Sequence, residues 1–553
     1  MPTIKASVSY LKRLTGLGLD AEILMRLLPT LKCEIERLEG DELEYEASHD
    51  RPDLFSAEGL ARSMLMLLGR YTKRAKVVDL GALARAEEVP YRPYVAFGVV
   101  SEIKLDDESI RQLTQLQEKF HSTYGRDRRK ISIGFYDLDK IKLPVTYRLA
   151  RPDEIKFVPL DHEREMSLAE VLEKTEQGRK YGHLVAGHGL YPVIVDAEGR
   201  VVGFPPIVNS EETRVTERTR ALLIDSTGLD QEWVVNAVTL IAYNALETAS
   251  EGTLGVVETK YWNGTSLKAP RTAGRVIAVN VKEVNALLGT EISGDEMVRL
   301  AELHGYEAVS RNGDVVLLRS PPFRFDVKEW VDVAEDVAMS YGYHRLGAEA
   351  LSLPSSRSRG IPLGINELSN RLADSLVGLG FTEVATYMMS NREWQFELFN
   401  VEGRMFEVSN PRSARYTGLR TWLTPGLLEV VKENAEREAV VRIFEVGDVA
   451  IPCEEAQVCV ERRVGIAISH EKATITDALA VIRGLLEQFG LRPKFERARV
   501  AGMLEERGAL IIVEGRQVGF AGEVHPLALE RVGLSKPVAV AELVVDRILP
   551  LLR

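Results

Sequence analysis

The sequence lacks several features that would point directly to a chemistry. It has only three cysteines in 553 residues, Cys33, Cys453 and Cys459, and no CxxC pair. This small odd number argues against a disulfide framework and against a cysteine-based zinc site, and it predicts buried thiols. The signatures GxxxxGK(S/T), GxGxxG, GxSxG and HExxH are also absent. The common phosphate-loop, dinucleotide, serine-hydrolase and zinc-protease sites are therefore excluded.

Long apolar runs and excess positive charge are missing as well. No run reaches the roughly 20 apolar residues that span a bilayer, and the opening MPTIKASVSYLKRLTG lacks the apolar core of a signal peptide. We therefore expect a cytoplasmic protein without membrane contact. Acidic residues outnumber basic ones, 82 to 70, which gives a net charge of −12. A nucleic-acid partner would have to be held locally or together with another subunit, because no chain-wide basic field is available.

The chain is too long for one compact core, and its composition of 45% hydrophobic and 27% charged residues is that of ordinary globular protein. The alternation of helical periodicity with short β-rich runs predicts a multidomain α+β fold. Residues 349–364 form the clearest linker, because they are rich in Ser, Pro and Gly. The predicted segments are an N-terminal α+β domain at 1–85, a larger α+β domain at 86–272, a small helix-rich module at 273–348, the linker at 349–364, and a C-terminal domain at 365–553.

Three short patterns predict particular elements. Ser56 can begin a helix whose buried face includes Leu60 and Met64. The dipeptide at 312–313, Asn-Gly, predicts the turn of a β-hairpin. After the linker, leucines recur at helical spacing and the pattern ends at glycine, which predicts a helix beginning near residue 365. These leucines are Leu368, Leu372, Leu376 and Leu379.

The most unusual stretch is RFDVKEWVDVAED, residues 324–336, which holds five carboxylates. Placing Asp326 at the N-cap of a helix puts Glu329 at position N3, which is a capping-box arrangement. In that helix Asp332, Glu335 and Asp336 share one face, opposite an apolar stripe. The stripe comprises Val327, Trp330, Ala334, Val337, Ala338 and Tyr341.

Two interpretations of this acidic triad remain open from the residues alone. Most charge runs are solvated surface. However, like charges three and four residues apart repel by a few tenths of a kcal/mol per pair, and Lys328 alone offers nearby relief. A hard cation such as Mg²⁺, or a basic partner surface, would remove this repulsion.

Several stretches together resemble the β subunit of phenylalanyl-tRNA synthetase in its archaeal and eukaryotic-cytosolic form. They follow the order of that family over nearly the whole chain, which makes the match specific. The stretches are RPDLFSAEGLAR, FPPIVNSEETRVTERTRALLIDSTG, PPFRFDVKEWVDVAEDVAMSYGYHRL, NPRSARYTGLRTWLTPGLLEVVKEN, RIFEVGDV and GEVHPLALERVGL.

The resemblance implies a subunit of an (αβ)₂ heterotetramer that joins phenylalanine to tRNA(Phe) with ATP. The synthetic active site and the ATP site would lie in the α subunit. Residues 365–553 would form a class II synthetase-like antiparallel sheet with helices that is catalytically inactive. In agreement, the two arginine motifs with which catalytic folds of this class hold ATP do not occur between residues 360 and 553.

The resemblance also implies a magnesium site in the small module, which would be a B5-like domain. The family carries Mg²⁺ ligands in an Asp, Asp, Glu, acid pattern spaced by six, three and one residues. Asp326, Asp332, Glu335 and Asp336 match this pattern. On this basis Mg²⁺ is the expected cofactor of the chain, with Asp326 acting both as helix cap and as ligand.

The third implication is an editing activity in residues 86–272. Tyrosine differs from phenylalanine by one hydroxyl, which an apolar pocket rejects only about a hundredfold, so a second site must hydrolyse mischarged Tyr-tRNA(Phe). The matching motifs assign Ser210, Asp225 and Thr227 to this site, with Asn209 and Val202 as weaker candidates. Because neither a nucleophile nor a strong general base is evident, the expected mechanism is positioning of water. Without the resemblance, Ser210 and Asp225 would be interpreted as turn and cap residues.

Two alternative functions follow from the same residues. The chain could be a free-standing aminoacyl-tRNA deacylase, but this leaves residues 365–553 unexplained. It could also be a scaffold subunit in which the motifs around 205–210 and 224–228 have no activity. Purification with an α chain tests the first alternative, and a deacylation assay on mischarged tRNA tests the second.

Overall fold

The computed structural model describes residues 2–347, 364–453 and 458–552. The chain divides into two compact units, Met1–Ser352 and Leu353–Arg553. The linker expected at 349–364 lies, apart from Gly364, outside the described residues. Every helix in the described part of the chain is too short or too polar to cross a bilayer.

The first unit begins with a small antiparallel sheet covered by helices. Its strands, in spatial order, are Thr3–Ser7, Glu42–Ala47 and Cys33–Glu39. Its helices are Val8–Thr15, Ala21–Thr30 and Ala57–Leu67. Ser56 is the N-cap of the third helix, and Leu60 and Met64 are fully buried, so the helix predicted there is confirmed.

A ten-stranded mixed sheet forms the centre of the first unit. Along its main path the strands are Val208–Asn209, Val201–Phe204, Tyr191–Val195, Val145–Ala150, Lys76–Ala86, Thr253–Tyr261, Tyr94–Ser101, Ala221–Gly228 and Ile131–Asp137, and Ser266–Ala269 pairs with Thr253–Tyr261. Two short strands, Lys156–Phe157 and Met166–Ser167, form a separate ribbon. The helices of this region are Asp107–Ser122, Leu168–Lys174, Glu176–Tyr181 and Gln231–Leu246.

The strand Lys76–Ala86 crosses the boundary expected after residue 85. It pairs in parallel with Thr253–Tyr261, near the middle of the large sheet. In addition, one apolar cluster runs from Ile4 through the helix Gln231–Leu246 to Ala269. The first two segments therefore share a core. The composition changes only after about residue 89, whereas the pairing that incorporates residues 76–86 is long-range and leaves no local signal.

The small module contains a three-stranded antiparallel sheet in the order Val276–Asn280, Val315–Arg319, Glu307–Asn312. Its helices are Val281–Leu288, Gly294–Glu302 and Trp330–Tyr341. The predicted hairpin is confirmed: Gly313 follows the strand that ends at Asn312 and has φ +60°. A core that includes Val279, Val316 and Val337 joins the sheet to the helices.

The second unit is built on a seven-stranded sheet. In spatial order its strands are Thr382–Glu383, Val441–Ile451, Cys459–Ser469, Val538–Val544, Arg516–Val524, Met503–Val513 and Lys494–Arg497. All neighbouring pairs are antiparallel except the first. A two-stranded ribbon pairs Met389–Ser390 with Gly418–Leu419. The helices are Ile365–Gly378, Arg392–Gln395, Thr424–Asn434, Ile475–Glu487, Pro526–Val532 and Val545–Ile548.

The helix Ile365–Gly378 confirms the leucine pattern, because Leu368, Leu372 and Leu376 are fully buried against the sheet. The prediction of three thiols, in contrast, is wrong for two cysteines. Cys453 and Cys459 form a disulfide, while Cys33 is a buried free thiol. The pairing follows from the hairpin of Val441–Ile451 with Cys459–Ser469, which brings the two cysteines together. A count of cysteines does not contain this information.

Candidate functional site

A cavity of about 320 Å³ lies against the large sheet of the first unit. One wall is the helix Asp107–Ser122, and the floor is formed by the adjacent strands Ile131–Asp137 and Ala221–Gly228. Residues 205–209 and the helix Glu176–Tyr181 close the other sides. Residues 160–161 also line it, so the cavity is assembled from parts that are far apart in the sequence.

Asp225 is the buried carboxyl group of the floor. It is 1% exposed, and its Oδ1 accepts a hydrogen bond of 2.7 Å from the hydroxyl of Tyr136. Burial raises the pKa of Asp225 to about 7, despite the opposing effects of the Tyr136 hydroxyl and the Arg92 charge. Gly134 faces Asp225 across the two strands, and a Cβ at this position would run into both Asp225 and Tyr136. The glycine is required for this close approach.

A polar layer supports the floor from behind. The Nε of Arg92 donates to Thr227 Oγ1 at 2.7 Å, and its Nη2 donates to Ser132 Oγ at 3.0 Å. Burial lowers the pKa of Arg92 to about 10. Ser132 lines the cavity, whereas Thr227 contacts it only through this layer. Thr227 is thus placed to orient Ser132.

A second charged group lies on the helix side of the cavity. Arg128 Nη2 donates to Glu118 Oε1 at 2.8 Å, and its Nη1 donates to the carbonyls of Pro206 and Ile207 at 3.1 and 2.9 Å. The guanidinium carbon of Arg128 also lies 4.2 Å from the ring centre of Tyr181. One arginine therefore ties together three walls of the cavity.

His121 completes this group. Its Nε2 accepts a hydrogen bond from the backbone N–H of Ile133 at 2.8 Å, so the ring proton lies on Nδ1, 3.3 Å from Glu118 Oε1. Burial lowers the pKa of His121, which keeps the ring neutral. Burial opposes ionisation of Glu118, but His121 and Arg128 outweigh it and lower the pKa of Glu118 to about 2.

Sequence reasoning missed Glu118, His121 and Arg128. The sequence feature that marks this region is the basic segment GRDRRK, which directly precedes a buried strand. In this segment Arg126, Asp127 and Arg128 have φ of 46, 55 and 64°, a left-handed conformation that is costly for residues with side chains. A left-handed backbone conformation at these three residues cannot be recognised from the residue types alone.

The structure separates the five residues expected at the editing site. Asp225 and Asn209 line the cavity. Ser210 is 1% exposed, and its Oγ has no hydrogen-bond partner among the described residues. Thr227 lies in the supporting layer, and Val202 belongs to the apolar core beneath the sheet.

The acidic segment of the small module differs from its expected arrangement. The helix begins at Trp330, with Glu329 as the N-cap and Asp332 at N3, and not at Asp326. The Oδ2 of Asp332 accepts from the backbone N–H groups of Lys328 and Glu329 at 2.7 and 2.8 Å. The predicted start is wrong because Asp326 and Glu329 have the same three-residue spacing as the pair that is actually used.

The four carboxylates expected to bind Mg²⁺ have protein partners instead of a common centre. Asp326 and Asp336 both accept from Arg324, and Glu335 accepts from Lys32 at 2.7 Å. Asp336 is 1% exposed, so the alternative of a solvated acidic face does not hold for this residue. Within the described ranges, the one group of acids whose oxygens converge as metal ligands would is Glu34, Glu36 and Glu46, in the N-terminal sheet. The predicted donor set does not fit a single Mg²⁺ in this arrangement.

Comparison with known proteins identifies the family. The chain is 43% identical over 551 residues to the phenylalanine–tRNA ligase beta subunit of Thermofilum pendens, covering 99% of this chain and 98% of that protein. This chain belongs to the phenylalanine–tRNA ligase beta subunit family. The beta subunit of Pyrococcus furiosus is 35% identical over 560 residues, with 98% of this chain and 99% of that protein covered.

Three family models match successive parts of the chain. Residues 104–247 match the B3/4 domain, residues 277–343 match the tRNA synthetase B5 domain, and residues 351–545 match the phenylalanyl tRNA synthetase beta chain CLM domain. The floor of the cavity and the helix Asp107–Ser122 lie within the B3/4 match. The Arg324 cluster lies within the B5 match.

A solved relative has the same fold over the first unit. An N-terminal fragment of the phenylalanyl-tRNA synthetase beta subunit from Pyrococcus horikoshii superposes with a TM-score of 0.59 at 35% identity. The match covers 62% of this chain and all of the fragment. Family membership thus extends to the fold of the part that contains the cavity.

The second unit has a smaller cavity, of about 160 Å³, above its sheet. Arg420 occupies its inner end, where Nη1 donates to Glu445 Oε1 at 2.6 Å and to Thr386 Oγ1 at 2.8 Å. Both Arg420 and Glu445 are buried. This arginine is therefore engaged by the protein itself.

Proposed function

We propose that this chain is the editing subunit of phenylalanine–tRNA ligase and that the cavity beside Asp225 hydrolyses the ester of tyrosine wrongly attached to tRNA(Phe). The observation that carries this proposal is a buried carboxyl group with a strongly raised pKa at the floor of a polar cavity, within the residues that match the B3/4 domain. Perturbed titrating groups in a cavity are typical of functional sites.

The cavity is suited to select tyrosine over phenylalanine. The buried Asp225 carboxyl and the Tyr136 hydroxyl can exchange hydrogen bonds with a phenol. A phenylalanyl group would leave these buried polar groups without a partner, which is the arrangement that gives strong discrimination against a substrate lacking a hydroxyl. The editing site would thereby reject the correct product.

The hydrolysis needs a positioned water molecule. Water attacks the ester carbonyl carbon, the bond from that carbon to the ribose oxygen breaks, and one proton of the water passes to the departing ribose oxygen. Asn209 and Ser132 are two of the neutral polar groups that line the cavity and can hold this water, and Thr227 supports Ser132 from behind. The exposed Lys180 at the cavity edge offers a positive charge to the phosphates of the RNA end.

Membership of the beta subunit family also indicates which partners the chain assembles with. A beta subunit requires an alpha partner and tRNA, and we propose an (αβ)₂ heterotetramer that works in the cytoplasm. ATP and its Mg²⁺ would bind to the alpha subunit during synthesis of Phe-tRNA(Phe). This division of labour agrees with the lack of both ATP-binding arginine motifs in the second unit.

The test is substitution of Asp225 in the assembled enzyme. With Asp225→Ala or Asp225→Asn, we expect hydrolysis of Tyr-tRNA(Phe) to fall at least a hundredfold while Phe-tRNA(Phe) synthesis stays near the wild-type rate. Asp139→Ala is the matched control, because Asp139 is exposed and lies outside the cavity.

Wild-type hydrolysis by both Asp225 variants would contradict the proposal. Smaller losses of Tyr-tRNA(Phe) hydrolysis with Ser210→Ala and Thr227→Ala would agree with the position of these two residues outside the cavity lining. If the wild-type enzyme itself fails to hydrolyse Tyr-tRNA(Phe), the scaffold alternative holds. Full deacylation by the chain without an alpha subunit would instead favour the free-standing deacylase.

A further inference from the structure

The acidic segment 324–336 already has cations, and they come from the chain itself. Arg324 is 4% exposed and lies between two of the four acids that the family pattern assigns to Mg²⁺. We propose that the Arg324 guanidinium takes the position of the cation in this module, so that the acids of the segment hold the first unit together without bound Mg²⁺.

The distances at Arg324 leave no separate place for a bridging metal. Its Nη2 lies 2.8 Å from Asp326 Oδ2 and 2.8 Å from Asp336 Oδ2, and its Nε lies 3.0 Å from both oxygens of Asp326. Mg²⁺ would need oxygens at about 2.0–2.1 Å in octahedral geometry. A metal shared by these two acids would occupy the space of Nη2, so the guanidinium and Mg²⁺ are alternatives.

The other two acids are engaged elsewhere. Asp332 caps the start of its own helix through two backbone N–H groups. Glu335 pairs with Lys32 at 2.7 Å, and the same lysine binds Asp50 at 2.6 Å. A single metal site would require Asp332 to abandon its cap and Glu335 to abandon its lysine.

The buried partners of Asp336 make the arrangement stable. The carboxylate accepts from the Tyr306 hydroxyl at 2.6 Å as well as from Arg324. Charge-assisted hydrogen bonds from a planar guanidinium are among the strongest that a buried carboxylate can make.

The same segment connects the module to the rest of the unit. Phe325 packs against Trp233 with ring centres 5.5 Å apart, and Phe323 lies 3.8 Å beneath the guanidinium carbon of Arg62. Arg324, between these two anchors, reaches the module helix at Asp336. Lys32 makes the second connection, from the N-terminal sheet region to Glu335. Three of the five carboxylates, Asp326, Glu335 and Asp336, therefore belong to a joint within the first unit, while Glu329 and Asp332 form the start of the helix.

The first experiment measures the Tm of the full-length chain by thermal unfolding. The chain is compared in EDTA and in millimolar Mg²⁺, in both cases without ATP. We expect the same Tm in both, to within about a degree, because no site gains a ligand on addition of the metal. A saturable rise of Tm with Mg²⁺ that Asp326→Asn abolishes would overturn the proposal.

The second experiment removes the built-in cation. Arg324→Gln removes the guanidinium from Asp326 and from the buried Asp336, so we expect a fall in Tm of about 5 °C or more in EDTA, and recovery of most of it in Mg²⁺ because the metal can now enter. Arg319→Gln is the control, since Arg319 forms an exposed pair with Glu307 in the same module. An unchanged Tm for Arg324→Gln would count against the proposal. Should this variant not fold, the wild-type titration decides alone.

Discussion

At the scale of single residues, Asp225, for which we propose a functional role, is kept at the expense of stability. Its carboxyl is buried beneath the cavity, with neutral donors in the Tyr136 hydroxyl and the Gly134 backbone and with the Arg92 guanidinium one layer behind. These contacts do not compensate the Asp225 carboxylate for its lost hydration, so its pKa rises to about 7. A purely structural position would be better filled by a neutral side chain.

Asp225→Asn should therefore stabilise the chain, and the effect should depend on pH. Because the pKa of Asp225 is higher in the folded than in the unfolded chain, its favourable contribution is complete below pH about 4 and is lost as the pH rises through about 7. Asparagine does not titrate, so the free energy of unfolding of the variant minus that of wild type should grow between about pH 4 and pH 8. A gain on the order of a few kcal/mol is expected at the upper end.

Denaturant unfolding of both chains at several pH values measures this difference. Asp139→Asn serves as control, because an exposed aspartate should give a flat difference. A flat difference for Asp225→Asn would show that the buried carboxyl keeps an ordinary pKa.

At the scale of elements, local sequence patterns predict a helix or a turn correctly where the pattern allows only one placement of that element. The leucines of Ile365–Gly378, the turn at Gly313 and the helix start after Ser56 all follow from nearest neighbours along the chain, and the structure has each of them. The start of Trp330–Tyr341 was misplaced because two acid pairs have the same spacing. The choice between them is made by Arg324, whose contacts with Asp326 and Asp336 cannot be read from helix periodicity.

The cap at Asp332 gives a prediction for this helix. Asp332→Ala should lower the free energy of unfolding by about 1 kcal/mol, because two backbone N–H groups lose their acceptor. Asp332→Asn should lose less, since its amide oxygen can still accept. The loss should be equal in EDTA and in Mg²⁺, as measured by chemical denaturation. A loss seen only in Mg²⁺ would assign Asp332 to a metal instead.

At the scale of the whole molecule, the cavity is a long-range assembly. Glu118, Asn209 and Asp225 come from three separate stretches, and they are brought together by the pairing order of the large sheet and by the helix Asp107–Ser122 that packs on it. Sequence reasoning placed Asp225 at the site through a resemblance between motifs. It could not find Glu118, His121 or Arg128, because their importance lies in contacts with Pro206, Ile207 and Ile133.

The division into two units yields the last prediction. The cavity, its supporting layer and the Arg324 joint all lie within residues 1–347, and the apolar core from Ile4 to Ala269 does not depend on the second unit. The crystallised N-terminal fragment from Pyrococcus horikoshii shows that such a part of a relative can be isolated. We expect the fragment 1–347 to unfold cooperatively and to hydrolyse saturating Tyr-tRNA(Phe) with a kcat within about tenfold of the complete enzyme, any larger loss appearing in KM. The same fragment with Asp225→Ala is the control for contaminating activity. A folded fragment whose kcat falls further would mean that the second unit, or its partner, contributes directly to the chemistry in the cavity.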